Sequence, residues 1–400
     1  MRITFILPGI RGPLSGGSRV VFEYANRLAD KGHEVYLVYP LLPIFIVSEP
    51  ALTMARQRLG ALKGLYNGNS VKWFDLRAKL VRVPSLDPGS IRFIEGLVPD
   101  SDAIVATAWE TAYAVSKLSE GKGKKFYFIQ HYEAWGLWDD ESCWAEAEKH
   151  KKGGDAGFAM AGVTPKSGFL KRYKEAVDTS YELPLIKITI STWLKRLLEE
   201  NFGGPVEGPV INGINSGMFY PDPSPVEKKH LRILMPWRPY KNKGSEDGIK
   251  AFSMVRAKHP DIDFVLYGIK RPDTIPPWAS FVENASDDEL RRLYSDADIF
   301  VCPSWVEGFG LTPMEASACG CAVVATNVGA VPDYAVNGKT IVSTPPRDPE
   351  ALADAILCLV EDEGRRKAIA SGGNEYIKQF SWDRATGELE QILVKYVGKV

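Results

Sequence analysis

The chain of 400 residues is long enough for two or three domains and too long for one small binding module. Its 49 Lys and Arg balance 50 Asp and Glu, leaving a net charge of −1, so no overall field draws it to nucleic acid and any bound anion must be gripped locally. A composition 45% hydrophobic and 25% charged excludes a disordered or collagen-like chain.

Residues 3–7 are a β-branched and aromatic run that Pro8 and Gly9 end too early for a signal peptide. Residues 18–30 carry apolar positions at helical spacing, Gly32 closes that helix, and 34–39 form a second strand, which makes a βαβ unit. The Gly16-Gly17 pair before the helix reads as a turn that lets the backbone approach a ligand without side-chain obstruction. Residues 39–59 form an apolar, Pro-broken stretch running into Arg56 and Arg58. They read first as a loop packed on the core and second as a peripheral contact with a membrane or a lipid-linked substrate.

Further strands are expected at 103–106, 125–129 and 186–190, the last followed by a helix, so the first half alternates as a parallel α/β domain does. His131 stands just past the strand 125–129. Residues 221–230, with three prolines and a charged cluster, read as a linker. A second alternating series follows: strands at 231–236, 263–268, 298–304 and 322–327, and helices at 245–259, 287–294, 315–320, 349–362 and 364–378. The predicted division is one α/β domain at 1–220, joined by an amphipathic helix within 381–400 that crosses back, and a second α/β domain at 231–380. The ligand is expected at the carboxyl ends of the two sheets.

Several motifs lead nowhere. GIRGPLSGG at 9–17 lacks the G-x-G-x-x-G spacing, and the second strand ends without the acidic residue that would hold a ribose. NGKT at 337–340 lacks the first Gly of a P-loop and precedes a strand. The Asp261/Asp263 and Asp296/Asp298 pairs sit at turns before apolar strands, where acidic residues are commonplace. The five Cys residues, 143, 302, 319, 321 and 358, are odd in number and contain no Cys-x-x-Cys pair, so they read as core residues of a cytoplasmic protein with no zinc site. His33, His150, His230 and His259 sit at turns or in polar stretches.

Two features carry chemistry. WRPYKNKG at 237–244 follows a strand and supplies Arg238 and Lys243, a planar fork and a point charge suited to a diphosphate. EGFGLTPMEA at 307–316 holds Glu307 and Glu315. Its Thr312-Pro-Met-Glu315 has the form of a capping box, so Glu315 has a structural reading as a helix cap. The backbone amides of Phe309, Gly310, Leu311 and Thr312 would point out of the helix start as a phosphate site. Glu307, outside that box, is left to bind hydroxyls.

These two stretches, with GGS at 16–18, INGINSGMF at 211–219 and NVGAVPD around Gly329, resemble the family 4 retaining glycosyltransferases of GT-B fold over nearly the whole chain. The resemblance implies two Rossmann-like domains and transfer of a sugar from a nucleotide-diphosphate donor to a glycan or lipid-linked hydroxyl, with no metal or other cofactor. It implies that Arg238 and Lys243 grip the donor diphosphate, Glu307 contacts the donor sugar, Glu315 holds the ribose, and His131 stands beside the donor sugar. The Gln-x-Tyr-Glu string at 130–133 is similar to a polysaccharide-assembling subgroup. Trp237, Pro239, Asn215, Ala330 and Asp333 depart from the pattern and bear on donor-sugar choice. Epimerases and phosphorylases of related fold, and a non-catalytic sugar-nucleotide-binding subunit, remain open as alternatives.

Overall fold

The computed structural model describes residues 1–10, 16–47, 52, 54–56, 59–60, 74–138, 140–150, 156–223 and 228–398. Of the stretch 39–59, residues 48–51, 53, 57 and 58 lie outside the described residues, as do 224–227 of the expected linker.

The chain forms two units. The first takes residues 1–150, 160–210 and 382–400, and the second takes 151–159 and 211–381. Residues 211–220 therefore belong with the second half, ahead of the linker read at 221–230. Ile214 explains why: its amide donates to the Phe380 carbonyl (2.8 Å) and it bridges Ser381 within the same unit.

In the first unit the strands are β1 (Arg2–Ile6), β2 (Glu34–Pro40), β3 (Lys79–Val83), β4 (Ala103–Ala106), β5 (Lys124–Ile129), β6 (Ile186–Thr189) and β7 (Val206–Glu207). They lie parallel in the order β3-β2-β1-β4-β5-β6-β7. The central strands are apolar along nearly their whole length because helices cover both faces, and β4 is buried at every position. The helix Gly16–Asp30 turns Val20, Val21, Tyr24 and Leu28 into this core. Tyr24 meets Phe128 of β5 and Trp382 of the last helix, Trp382–Val397, edge-on at 5.4 and 5.2 Å. Gly16 and Gly17 form the first turn of the helix rather than a turn ahead of it.

The second unit holds β8 (Arg232–Pro236), β9 (Asp263–Gly268), β10 (Ser280–Glu283), β11 (Ile299–Cys302), β12 (Ala322–Thr326) and β13 (Val342–Thr344). They are all parallel, in the order β10-β9-β8-β11-β12-β13. Ile233, Met235, Phe252, Phe264, Leu266, Val301, Val324 and Ile356 make its core. The acidic residues before the strands brace them: Asp298 accepts the Arg232 amide (2.8 Å) and pairs with Lys228 (2.9 Å), and Asp263 faces Arg232 at 3.6 Å. Both sheets are doubly wound, and in each the order reverses beside its first strand, between β1 and β4 and between β8 and β11. Loops after those strand pairs diverge to opposite faces and leave room for a ligand.

Candidate functional site

In the second unit, the loop after β8 and the loop after β11 leave adjacent strands at the point of reversal, and they carry Arg238, Lys243 and Glu307. The first loop tightens into a single turn, Lys241–Lys243, and ends at Gly244 with φ +63°. Glycine is required there twice over, by the left-handed backbone and because a Cβ would lie 2.0 Å from the Pro303 carbonyl oxygen of the second loop. The Trp305 and Val306 amides both donate to the Asn242 carbonyl (2.8 and 3.3 Å), and the Trp305 indole N–H donates to Asp247 (2.7 Å). Two loops distant in sequence are thereby held as one body.

That body sets the charged groups. Lys243 Nζ lies 2.9 Å from Glu307 Oε2, and the Ser304 hydroxyl donates to Glu307 Oε1 at 2.8 Å. The Ser304 carbonyl in turn accepts from the Thr326 hydroxyl of β12. Gly329, at φ +62°, lets the next loop press on Glu307: a Cβ there would meet Glu307 Cβ at 2.7 Å and the Glu307 carbonyl at 2.9 Å. The Ala330 amide holds the Phe309 carbonyl (3.0 Å), and the Tyr334 hydroxyl holds that of Gly310 (2.7 Å). Burial together with the Glu307 charge raises the Cys302 thiol, so it stays protonated beside the site.

The helix that follows is Leu311–Ala318, with Gly310 at its N-cap in a left-handed conformation (φ +92°). The capping box read at Thr312–Glu315 is not formed. The helix starts earlier, Thr312 lies in its first turn, and Glu315 is an interior residue on the buried face. Glu315 Oε2 accepts from the Tyr294 hydroxyl (3.1 Å), which is 2.8 Å from the Tyr267 hydroxyl. Since Tyr294 spends its proton on Glu315, Tyr267 donates to Tyr294. Burial pushes both phenols far above their ordinary range, so both remain donors. The Arg238 guanidinium sits over the Tyr267 ring at 5.5 Å and donates to the Trp237 carbonyl at 2.9 Å, and among the described residues no carboxylate pairs with it. Its backbone is pinned by Ser245, whose hydroxyl accepts the Arg238 amide and donates to its carbonyl. A line of contacts thus runs from Arg238 through Tyr267 and Tyr294 to Glu315. Tyr267 stands in the apolar strand run DFVLYG and Tyr294 at a core-facing position of the charged, amphipathic helix Asp287–Asp296, and no sequence signal separates them from ordinary core.

Gly16, Gly17 and His131 belong to the first unit. Neither glycine has positive φ, a Cβ on Gly16 would meet nothing within 4 Å, and one on Gly17 would make only ordinary contact with Gln130 at 3.5 Å. The chain's own packing therefore does not demand glycine at either position. His131 is 6% exposed, with Nδ1 against the Tyr132 carbonyl at 2.7 Å and its ring edge-on to Trp138 and Trp193. Glu133, two residues on, is buried: Oε2 accepts from the Trp109 amide (2.7 Å) and the Tyr127 hydroxyl (2.8 Å). Burial, aided by the nearby Glu110 charge, pushes its carboxyl up to about 8. Three of the other histidines have acidic neighbours within their own unit: His33 with Glu390, His259 with Glu361 and His230 with Asp261. Among the described residues no three His, Cys, Asp or Glu side chains gather as a metal site. No described helix is long and apolar enough to cross a membrane.

The second unit is thus a doubly wound parallel α/β sheet whose reversal point carries Arg238 and Lys243 on one loop and Glu307 on the next. Residues 219–376, within the second unit, match the family described as glycosyl transferases group 1. The O-antigen chain mannosyltransferase B of Escherichia coli is 36% identical over 124 residues, which cover 31% of this chain and 32% of that protein. Across the first few curated relatives, the chain spans from about a quarter to two-fifths of the relative's length. Among solved structures, the sucrose-phosphate synthase of Thermosynechococcus elongatus matches with a TM-score of 0.70 at 17% identity, covering 98% of each chain. The Anabaena protein HepE in complex with UDP and glucose matches with a TM-score of 0.68 at 14% identity, over 99% of this chain and 100% of that one. The fold is that of the GT-B glycosyltransferases.

Proposed function

We propose that the chain transfers a sugar from a nucleotide-diphosphate donor to a hydroxyl of a glycan or lipid-linked acceptor, with retention at the anomeric carbon and without a metal ion. The observation that carries this reading is the joined pair of loops at the β8/β11 reversal, which carries Arg238 and sets Lys243 against Glu307, just ahead of the left-handed Gly310 that starts the helix Leu311–Ala318. The family match over 219–376 supports it.

On this reading Lys243, Arg238 and the helix-start amides take up the negative charge that builds on the departing diphosphate. Electrostatic stabilisation of this kind is usually the largest catalytic term. Glu307, held between Lys243 and Ser304, is oriented to accept hydroxyls of the donor sugar, and Glu315, held by Tyr294, accepts from the nucleotide ribose. The acceptor attacks from the face the diphosphate leaves, and the leaving phosphate oxygen takes its proton.

The test is Lys243→Ala assayed with a competent donor found by screening nucleotide sugars for thermal stabilisation. Turnover falls on the order of 10²–10³-fold, the cost of removing one donor of this kind. Near-normal turnover refutes the assignment, and inversion at the anomeric carbon refutes the stereochemistry.

A further inference from the structure

The first unit contains a cleft at the carboxyl edge of its sheet that the diphosphate grip does not use. Residues 44–47, after β2, form one wall. Trp109 and Glu110, after β4, form another, and Gly136, Phe169 and Tyr173 complete it. The volume is about 330 Å³, at the small end of the range for small-molecule sites. It adjoins the loops beside the β1/β4 reversal, where a doubly wound sheet receives a ligand.

Its chemistry is specific. Trp109 meets Tyr173 edge-to-face at 5.5 Å, and Phe169 stacks on Tyr173 at 6.3 Å with an interplanar angle of 17°. The Tyr173 hydroxyl is spent on the Glu133 carbonyl (2.9 Å), so the ring is fixed and offers its apolar body. Glu110 is the one carboxyl of the lining, and among the described lining residues there is no Lys, Arg or His. Rigid aromatic faces suit the C–H face of a sugar ring, and a carboxyl amid them suits its hydroxyl donors. A phosphate would find no cation there to offset the cost of burying its charge.

We propose that this cleft binds an uncharged, hydroxyl-bearing sugar ring, with the aromatic side chains as its platform and Glu110 as the acceptor of its hydroxyl hydrogen bond, and that it selects against phosphorylated sugars. Calling that sugar the acceptor rests on the glycosyl-transfer reading above, whereas its binding does not.

The full chain is titrated by tryptophan fluorescence with methyl α-D-glucopyranoside, methyl α-D-mannopyranoside and maltose, with glucose 6-phosphate as the charged counterpart and UDP as a control for the second unit. At least one neutral sugar saturates and outcompetes glucose 6-phosphate. Glu110→Ala and Phe169→Ala each weaken it by about tenfold, the scale of one buried hydrogen bond or ring contact. Glu110→Gln, which keeps an acceptor oxygen, retains binding, and UDP affinity is unchanged throughout. The proposal is overturned if no neutral sugar saturates, if glucose 6-phosphate binds more tightly, or if folded Glu110→Ala and Phe169→Ala bind as the parent does. Sugar binding with no transfer from any nucleotide sugar would remove the transferase reading and leave the cleft. Transfer by Glu110→Ala at an unchanged acceptor KM would do the reverse.

Discussion

Replacing Glu133 by Gln should reshape the pH dependence of stability. The side chain sits under Trp109 and Tyr127, both of which donate to Oε2, and Gln keeps an oxygen for those bonds while removing the ionisable proton. In the folded chain burial holds the Glu133 carboxyl at about 8, against an ordinary value of 4.5 once unfolded. Below the unfolded value both states are protonated, and this group's contribution favouring the fold is fully present. Between the two values the folded state keeps a proton that the unfolded state has lost, so stability falls as pH rises, by at most about 1.4 kcal/mol per pH unit. Above about 8 both states are ionised and the slope from this group vanishes. Across the window the loss amounts to a few kcal/mol, a large part of the stability of an ordinary domain. Glu110, raised to about 7, adds a slope of the same sign over a narrower range. Urea unfolding followed by tryptophan fluorescence at intervals from about pH 5 to pH 9 reads the effect. The gap between Glu133→Gln and the parent should widen in favour of the variant up to about pH 8 and then stay level. Parallel profiles across the range would refute the reasoning and show that Glu133 is ionised in the folded state.

Tyr294→Phe removes the donor to Glu315 and leaves the Tyr267 hydroxyl without its acceptor, a loss of about 1.5–3 kcal/mol for a buried bond to a charged group. KM for the donor should rise while kcat changes little, and the preference for ribose over deoxyribose nucleotides should shrink. Equal loss on both nucleotides would point to a purely structural role. Gly244→Ala should lower the unfolding midpoint and sharply weaken donor binding, because the added Cβ meets the Pro303 carbonyl and pries the Lys243 loop from the Glu307 loop. Calorimetry and nucleotide titration check this, and unchanged values for both would show that the loops are not coupled.

The sequence by itself determined the two doubly wound sheets. Runs such as AIVA at 103–106 and DFVLYG at 263–268 are apolar at nearly every position because both faces of a parallel strand are covered, and helices such as Gly16–Asp30 and Asp287–Asp296 carry their apolar residues at helical spacing. β3 was not legible, since KLVRV lies at the sheet edge with Lys79, Leu80 and Arg82 exposed and carries no continuous apolar signal. The helix Trp109–Lys117 also escaped, because its nine mixed residues are too few to show a clear period. Around the candidate site, residue types and spacing pointed to Arg238, Lys243, Glu307 and Glu315. Only the tertiary structure decided that Lys243 pairs with Glu307 and that Glu315 lies inside a helix held by Tyr294 instead of capping it. It alone showed that Gly244 and Gly329 are glycine because another loop's backbone or side chain lies where their Cβ atoms would be. The physical reason is range. Periodicity and capping are local and repeat within one or two turns, whereas these contacts join residues some 20 to 60 positions apart that meet only when parallel strands bring their ends together.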